Sequence, residues 1–203
     1  APRLAGRTVG ARLRRRLVRV TGRSESQVEE VAFPIYSRAA PPGITVATTI
    51  LASPGLIELH LSASGQETAA IDELLEARVA ELAAALGSAV FSIDGESLEA
   101  VVGQALAARA QRIAVAESCT GGLLLGRLTD VPGSSTWVTG GVVAYDNAVK
   151  IAQLGVSPEI IAQGGAVSEA VAVAMADGVR RTLGAHVGVG ITGIAGPTGG
   201  TAE

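Results

Sequence analysis

Aromatic side chains make up only 2% of this 203-residue chain, while hydrophobic residues as a whole reach 48%. A core of that composition has to be filled by Ala, Val, Leu and Ile. These side chains suit sheets covered by helices, where buried strands are lined by small and branched aliphatics. An α/β architecture is therefore the expected fold class. A chain of this length accommodates one large domain or two small ones. The formal net charge of −3 argues against a general nucleic-acid binder. The one cysteine, Cys119, excludes an intrachain disulfide framework and fits a reducing compartment. No apolar run is long enough to span a bilayer, and the first residues lack the layout of a signal peptide. A soluble, cytoplasmic protein with no membrane partner is expected.

The punctuation of the chain divides it into two modules. In the first, Leu13, Leu17 and Val20 predict a helix ended by Gly22, with the arginines at 12, 14, 15, 16 and 19 on its solvated face. Ser24 and Gln27 form a capping-box pattern that opens a second helix towards Arg38. Pro41-Pro42-Gly43 breaks it, and two β-rich runs, Ile44 to Ala52 and Leu56 to Ala63, flank a Ser53-Pro54-Gly55 turn. A long Ala/Leu/Glu helix follows from about Glu67 to Leu86, then a short strand near Val90 and a boundary turn at Asp94-Gly95. The second module alternates helix and strand, as layered sheets do. Strands are expected at Arg112 to Glu117, Trp137 to Tyr145 and Val187 to Thr192. Helices are expected over Ser97 to Arg109, Gly121 to Thr129, Ala148 to Leu154, Glu159 to Gln163 and Ser168 to Leu183. The run Gly193-Ile194-Ala195-Gly196-Pro197-Thr198-Gly199-Gly200 is too glycine-rich for regular structure.

Lys150 is the only lysine in a chain whose other basic residues are all arginine. Lysine, unlike arginine, can lose its proton when desolvated and act as a base. Three strand ends deliver polar residues: Glu117-Ser118-Cys119-Thr120, Tyr145-Asp146-Asn147 and Thr192-Gly193. In open α/β sheets, ligands bind at the carboxyl ends of strands. Ser118 falls between a strand and a helix, where neighbouring amides can face an anion or a developing oxyanion. Gly121 and Gly122 would let a ligand approach the backbone. The plainer alternative is that Ser118 and Thr120 cap the helix.

Other chemistries lack their parts. His60 belongs to the hairpin of the first module and His186 to the start of a strand, so neither Ser118 nor Cys119 has a histidine base. No His/Cys/Asp/Glu group has metal-ligand spacing, and no glycine-rich stretch matches a P-loop or a dinucleotide fingerprint. Neither metal nor cofactor is expected. What survives is a serine–lysine arrangement: Ser118 as nucleophile, Lys150 as its base and Tyr145 as a proton relay.

From about Leu98 onwards the chain resembles the C-terminal domain of the CinA (competence/damage-inducible) proteins, the nicotinamide mononucleotide (NMN) deamidases. The blocks that carry the resemblance run from Ala116 to Gly122, Val131 to Ser135, Gly141 to Asn147 with Lys150, Leu154-Gly155-Val156, Gly165 to Ser168, and Ile191 to Gly200. Residues 1–92 resemble the middle, KH-like module of full-length CinA, on Gly22-Arg23-Ser24-Glu25-Ser26 and the hairpin that follows.

The resemblance implies a KH-like α/β module over 1–92 and a three-layer α/β/α domain over 96–203, in a homodimer. It implies hydrolysis of the NMN carboxamide to nicotinate mononucleotide and ammonia, a step of NAD recycling. Ser118, Tyr145 and Lys150 would be catalytic. Asn147, Thr192, Gly193 and Gly196 would line the substrate site. The Ser134-Ser135 turn, or Thr120 with the Gly121 and Gly122 amides, is proposed to take the substrate phosphate. Full-length CinA carries a further N-terminal domain and further C-terminal elements, so this chain is expected to be truncated. No Gly-x-x-Gly loop with basic flanks occurs in residues 1–92, so the KH-like module is not expected to bind RNA. The alternative reading is a catalytically silent module that senses a nucleotide or binds a partner through the same pocket.

Overall fold

The computed structural model describes residues 11–196. The Pro197-Thr198-Gly199-Gly200 part of the glycine-rich loop lies outside the described residues. The chain divides into two compact units, residues 1–98 and 99–203.

In the first unit, strands β1 (Arg12–Val20), β2 (Thr45–Ser53), β3 (Leu56–Gly65) and β4 (Val90–Ser92) form one antiparallel sheet in the order β2-β3-β1-β4. Helices α1 (Glu25–Tyr36) and α2 (Thr68–Leu86) supply the rest of its core. The predicted first helix is in fact β1, which pairs with β3 along its whole length, from Arg12 opposite Gly65 to Val20 opposite Ile57. A spacing of four fits a strand face as well as a helix face, so Leu13 and Leu17 could not discriminate. Along β1 the core side carries Val18 and Val20, both fully buried. Further along the strand, Arg14 and Arg16 pair with Asp72 at 3.5 and 3.0 Å, and Arg16 also with Glu76 at 3.1 Å. Arg19 pairs with Glu58 at 2.8 Å. These arginines are thus tied down on a strand rather than spread over a solvated helix.

The other local signals of this unit hold. Ser24 Oγ accepts from the Gln27 amide while Gln27 Oε1 accepts from the Ser24 amide, the reciprocal pair that starts α1. Gly87, at φ +60°, ends α2. Buried Arg78 donates to the Tyr36 and Arg38 carbonyls at 2.8 and 2.6 Å, closing the carboxyl end of α1.

The second unit is built on three parallel strands in the order β6-β5-β7: β5 (Ile113–Glu117), β6 (Val138–Val143) and β7 (Val187–Ile191). All five residues of β5 are buried, because the strand is central and covered on both faces. Ala114 and Ala116 pack against Leu154, Val171, Met175 and Val179, from α5 (Asn147–Leu154) and α7 (Glu169–Thr182). Ile113 and Val115 pack with Leu106, Leu128 and Trp137, under α3 (Leu98–Ala108) and α4 (Leu123–Thr129). A short α6 (Pro158–Gly164) links α5 to α7. This is the three-layer α/β/α arrangement, preceded by a KH-like α/β module.

Glycines let the layers close up. A Cβ on Gly188 or Gly190 of β7 would stand 2.1 Å from the Ala176 or Ala172 carbonyl oxygen of α7. Helix and strand therefore meet backbone to backbone, which no larger residue permits. Among the described residues no helix is long and apolar enough to cross a membrane.

Candidate active site

Because β5, β6 and β7 run parallel, their carboxyl ends lie along one edge of the sheet, and the residues that follow them are delivered together. Ser118 follows β5, Tyr145 comes just after β6, and Thr192 follows β7. A cavity of about 380 Å³ opens there, lined by Ser118, Cys119, Tyr145, Asn147, Lys150, Ala166, Val167, Thr192 and residues 193–196. A larger hollow of about 770 Å³ lies in the first unit. It is lined by residues such as Pro41, Pro42, Leu74 and Ala77, with Glu67 and Glu73, and has no hydroxyl, thiol or amine nucleophile. Size and chemistry disagree here, and chemistry selects the smaller cavity.

Ser118 is 7% exposed and Lys150 only 2%. Asp146 sets the position of Lys150: its carboxylate accepts the Ala148 amide at 2.7 Å and starts α5, which carries Lys150 one turn on. Lys150 Nζ donates to the Tyr145 carbonyl at 3.1 Å, and among the described residues it has no carboxylate partner. Tyr145 thus meets Lys150 through its backbone; the residue is 75% exposed and lines the cavity. Ser118 Oγ makes no hydrogen bond to Lys150 or to any other described group. Thr192 Oγ1 donates to the Ala166 carbonyl at 2.7 Å, tying the end of β7 to the segment before α7. Cys119 lies so close to Gly193 that a Cβ there would stand 3.1 Å from the Cys119 sulfur.

Ser118, Tyr145, Asn147, Lys150, Thr192, Gly193 and Gly196 are therefore brought to one cavity. Two groups of expected phosphate ligands are not. Ser134 and Ser135 belong to a short 3₁₀ turn, Ser134–Thr136, that precedes β6. They sit at the amino end of the sheet, about 20 Å of strand away from the site at 3.3 Å per residue. The Gly121 and Gly122 amides are already engaged: Gly121 donates to the Ser118 carbonyl at 3.1 Å and Gly122 to Glu117 at 3.2 Å. Of the histidines, His60 belongs to β3 of the first unit, and His186 accepts from the Arg112 amide at the amino end of β7, opposite this edge. Among the described residues no group of three or more His, Cys, Asp and Glu could hold a metal ion.

Sequence reasoning missed the use made of Glu117. This carboxylate is 1% exposed and accepts the amides of Gly122, Leu124 and Leu125 at 3.2, 3.0 and 2.8 Å. The Thr120 hydroxyl faces it without meeting strict hydrogen-bond geometry. Burial pushes the carboxyl up, but Thr120 and the three amides outweigh it and hold the group below the usual glutamate range. An acid at the end of an otherwise apolar strand, just before a helix with no side-chain cap, was the available signal.

Two α/β units, the second a three-layer domain with buried hydroxyl and amine at the carboxyl ends of parallel strands, define the class of protein. Residues 15–92 match the damage-inducible protein CinA KH domain, and residues 95–203 match the CinA C-terminal domain. The chain belongs to the CinA family. A CinA-like protein of Koribacter versatilis is 48% identical over 192 residues, which are 93% of this chain and 44% of that protein. A CinA-like protein of Synechocystis is 45% identical over 188 residues, again 93% and 44%. The chain spans less than half the length of these relatives. Among solved structures, the competence damage-inducible protein A of Klebsiella pneumoniae superposes with a TM-score of 0.50 at 39% identity, over 51% of this chain and 64% of that one. A CinA superfamily protein of Escherichia coli gives 0.50 at 37% identity, over 51% and 60%.

Proposed function

We propose that the second unit is an amidohydrolase that converts NMN to nicotinate mononucleotide and ammonia in NAD recycling. The observation that carries this reading is that two buried polar side chains, Ser118 and Lys150, line one small cavity at the strand ends. Family membership supports it through the deamidase activity of the family. Ser118 Oγ attacks the carboxamide carbon while Lys150 Nζ accepts its proton. The tetrahedral oxyanion that forms needs donors. The Cys119 and Thr120 amides, which have no acceptor among the described residues, are candidates. Collapse expels ammonia with the proton held by Lys150 and leaves an acyl group on Ser118. Water, deprotonated by the same amine, then releases the carboxylate and restores the serine.

Tyr145 is proposed as a proton relay, a role that requires its hydroxyl to reach Ser118 or Lys150. Asn147, Thr192, Gly193 and Gly196 are proposed to hold the substrate. The assembly proposed is a homodimer, which sedimentation analysis would test. Incubating the chain with NMN and measuring ammonia decides the activity. Substrate binding without ammonia release, equal in the wild type and in Ser118→Ala, would instead identify a silent nucleotide sensor.

A further inference from the structure

Glu117 is buried beside the proposed nucleophile, and no step above uses it. Its neighbourhood is a strand-to-helix elbow held at several points. The Glu117 carbonyl accepts the Ala144 amide at 2.7 Å, the Ser118 amide donates to the Ile191 carbonyl at 2.9 Å, and the Ser118 carbonyl accepts the Gly121 amide at 3.1 Å. Those bonds fix the strand side. On the helix side the chain passes through Gly121 and Gly122, at φ +62° and +100°, residues that resist rotation least. Among the described residues, the side chain hydrogen-bonded across this soft corner is that of Glu117, which accepts three amides at the start of α4. Ser118 Oγ has no hydrogen-bond partner among the described residues, so the backbone alone aims it.

We infer that Glu117 is a positioning residue, whose carboxylate clamps the β5–α4 elbow and thereby sets the direction of the Ser118 hydroxyl. The chemistry of the clamp requires a carboxylate. Three N–H donors converge on two oxygens, and a carboxylate only accepts. A glutamine of the same shape would turn two hydrogens of its own towards donors. The inference rests on the reading of Ser118 as nucleophile, and one of the two readouts of its test does not depend on the substrate.

The test uses the whole chain and two readouts at a temperature where circular dichroism shows each variant folded. In Glu117→Gln, kcat for NMN should fall about tenfold to a hundredfold with KM within about twofold, the usual cost of a misaimed nucleophile. Phosphonylation of Ser118 by a small fluorophosphonate, followed by mass spectrometry, should slow by a similar factor. Glu117→Asp keeps the charge on a shorter arm and should recover part of both rates. A purely structural role would lower the melting temperature and leave both rates per folded molecule at wild-type values, and that result overturns the inference. Should Glu117→Gln fail to fold, the aspartate variant decides, and wild-type phosphonylation in it would equally overturn the clamp. A wild-type chain that labels at Ser118 but releases no ammonia from NMN refutes the substrate reading alone. A wild-type chain whose Ser118 does not label refutes the nucleophile and the clamp together.

Discussion

Arginine at position 150 separates positive charge from basicity at one buried site. Lys150 is 2% exposed and its amine holds the Tyr145 carbonyl at 3.1 Å. A guanidinium can donate to the same carbonyl and is itself a cation, so the anchor and any attraction for an anionic substrate are both kept. What is lost is a group able to take the Ser118 proton, since arginine stays protonated in proteins. A positioned base contributes about 10²- to 10⁴-fold in rate, or about 3–5 kcal/mol of barrier at 1.36 kcal/mol per decade. The larger head group must also fit a closed space, and overpacking of this kind costs about 1–3 kcal/mol of stability. The melting temperature is therefore measured first, and Lys150→Met serves if the arginine variant does not fold. The assay is ammonia release from NMN, with kcat and KM resolved separately. Loss of kcat by two orders of magnitude or more is expected. A kcat near wild type with a raised KM would refute the base role and leave Lys150 as an attractor of substrate charge.

Ser118→Ala should abolish ammonia release, whereas Cys119→Ala should keep most of it; inactivation in step with alkylation of Cys119, without steric block of the pocket, would reverse that assignment. Tyr145→Phe removes the relay hydroxyl but keeps the carbonyl that holds Lys150, so kcat should drop at least about tenfold; an unchanged kcat would confine Tyr145 to its backbone role. Gly190→Ala puts a methyl 2.1 Å from the Ala172 carbonyl oxygen and should cost about 1–3 kcal/mol or more, read as a lower urea midpoint; a wild-type midpoint would contradict the close packing of α7 on β7. Glu117 is held below the ordinary glutamate value of 4.5, so its contribution to stability is complete above that pH and is lost as pH falls through the lower folded value. The stability gap between wild type and Glu117→Gln should therefore narrow on acidification below pH 4.5, and a constant gap would show that the charge is irrelevant.

Much of the fold is written in short-range signals. The Ser24–Gln27 capping box, the Ser53-Pro54-Gly55 hairpin, Gly87 at the end of α2 and Ser168 at the start of α7 all act through bonds or dihedrals a few residues long. The alternation of helix and strand after residue 97 likewise required parallel strands, and with them a shared carboxyl edge. That edge is why Ser118, Tyr145 and Thr192 fall together in the sequence reading, while Lys150 stands out as the only lysine of the chain.

The rest depended on partners far along the chain. Residues 12–20 are a strand because nine consecutive positions pair with β3 and because Asp72 and Glu76 of α2 await Arg14 and Arg16; the local spacing of four served helix and strand alike. Ser134 and Ser135 looked like site residues in a motif, but the direction of β6 puts them at the opposite end of the sheet. The Gly121 and Gly122 amides looked free, yet one turns back to the Ser118 carbonyl and the other is taken by a carboxylate from the preceding strand. Composition and punctuation determine which elements form and in what order. Register, strand direction and the allocation of buried donors to acceptors arise only when those elements pack, because each is a contest among groups distant in sequence.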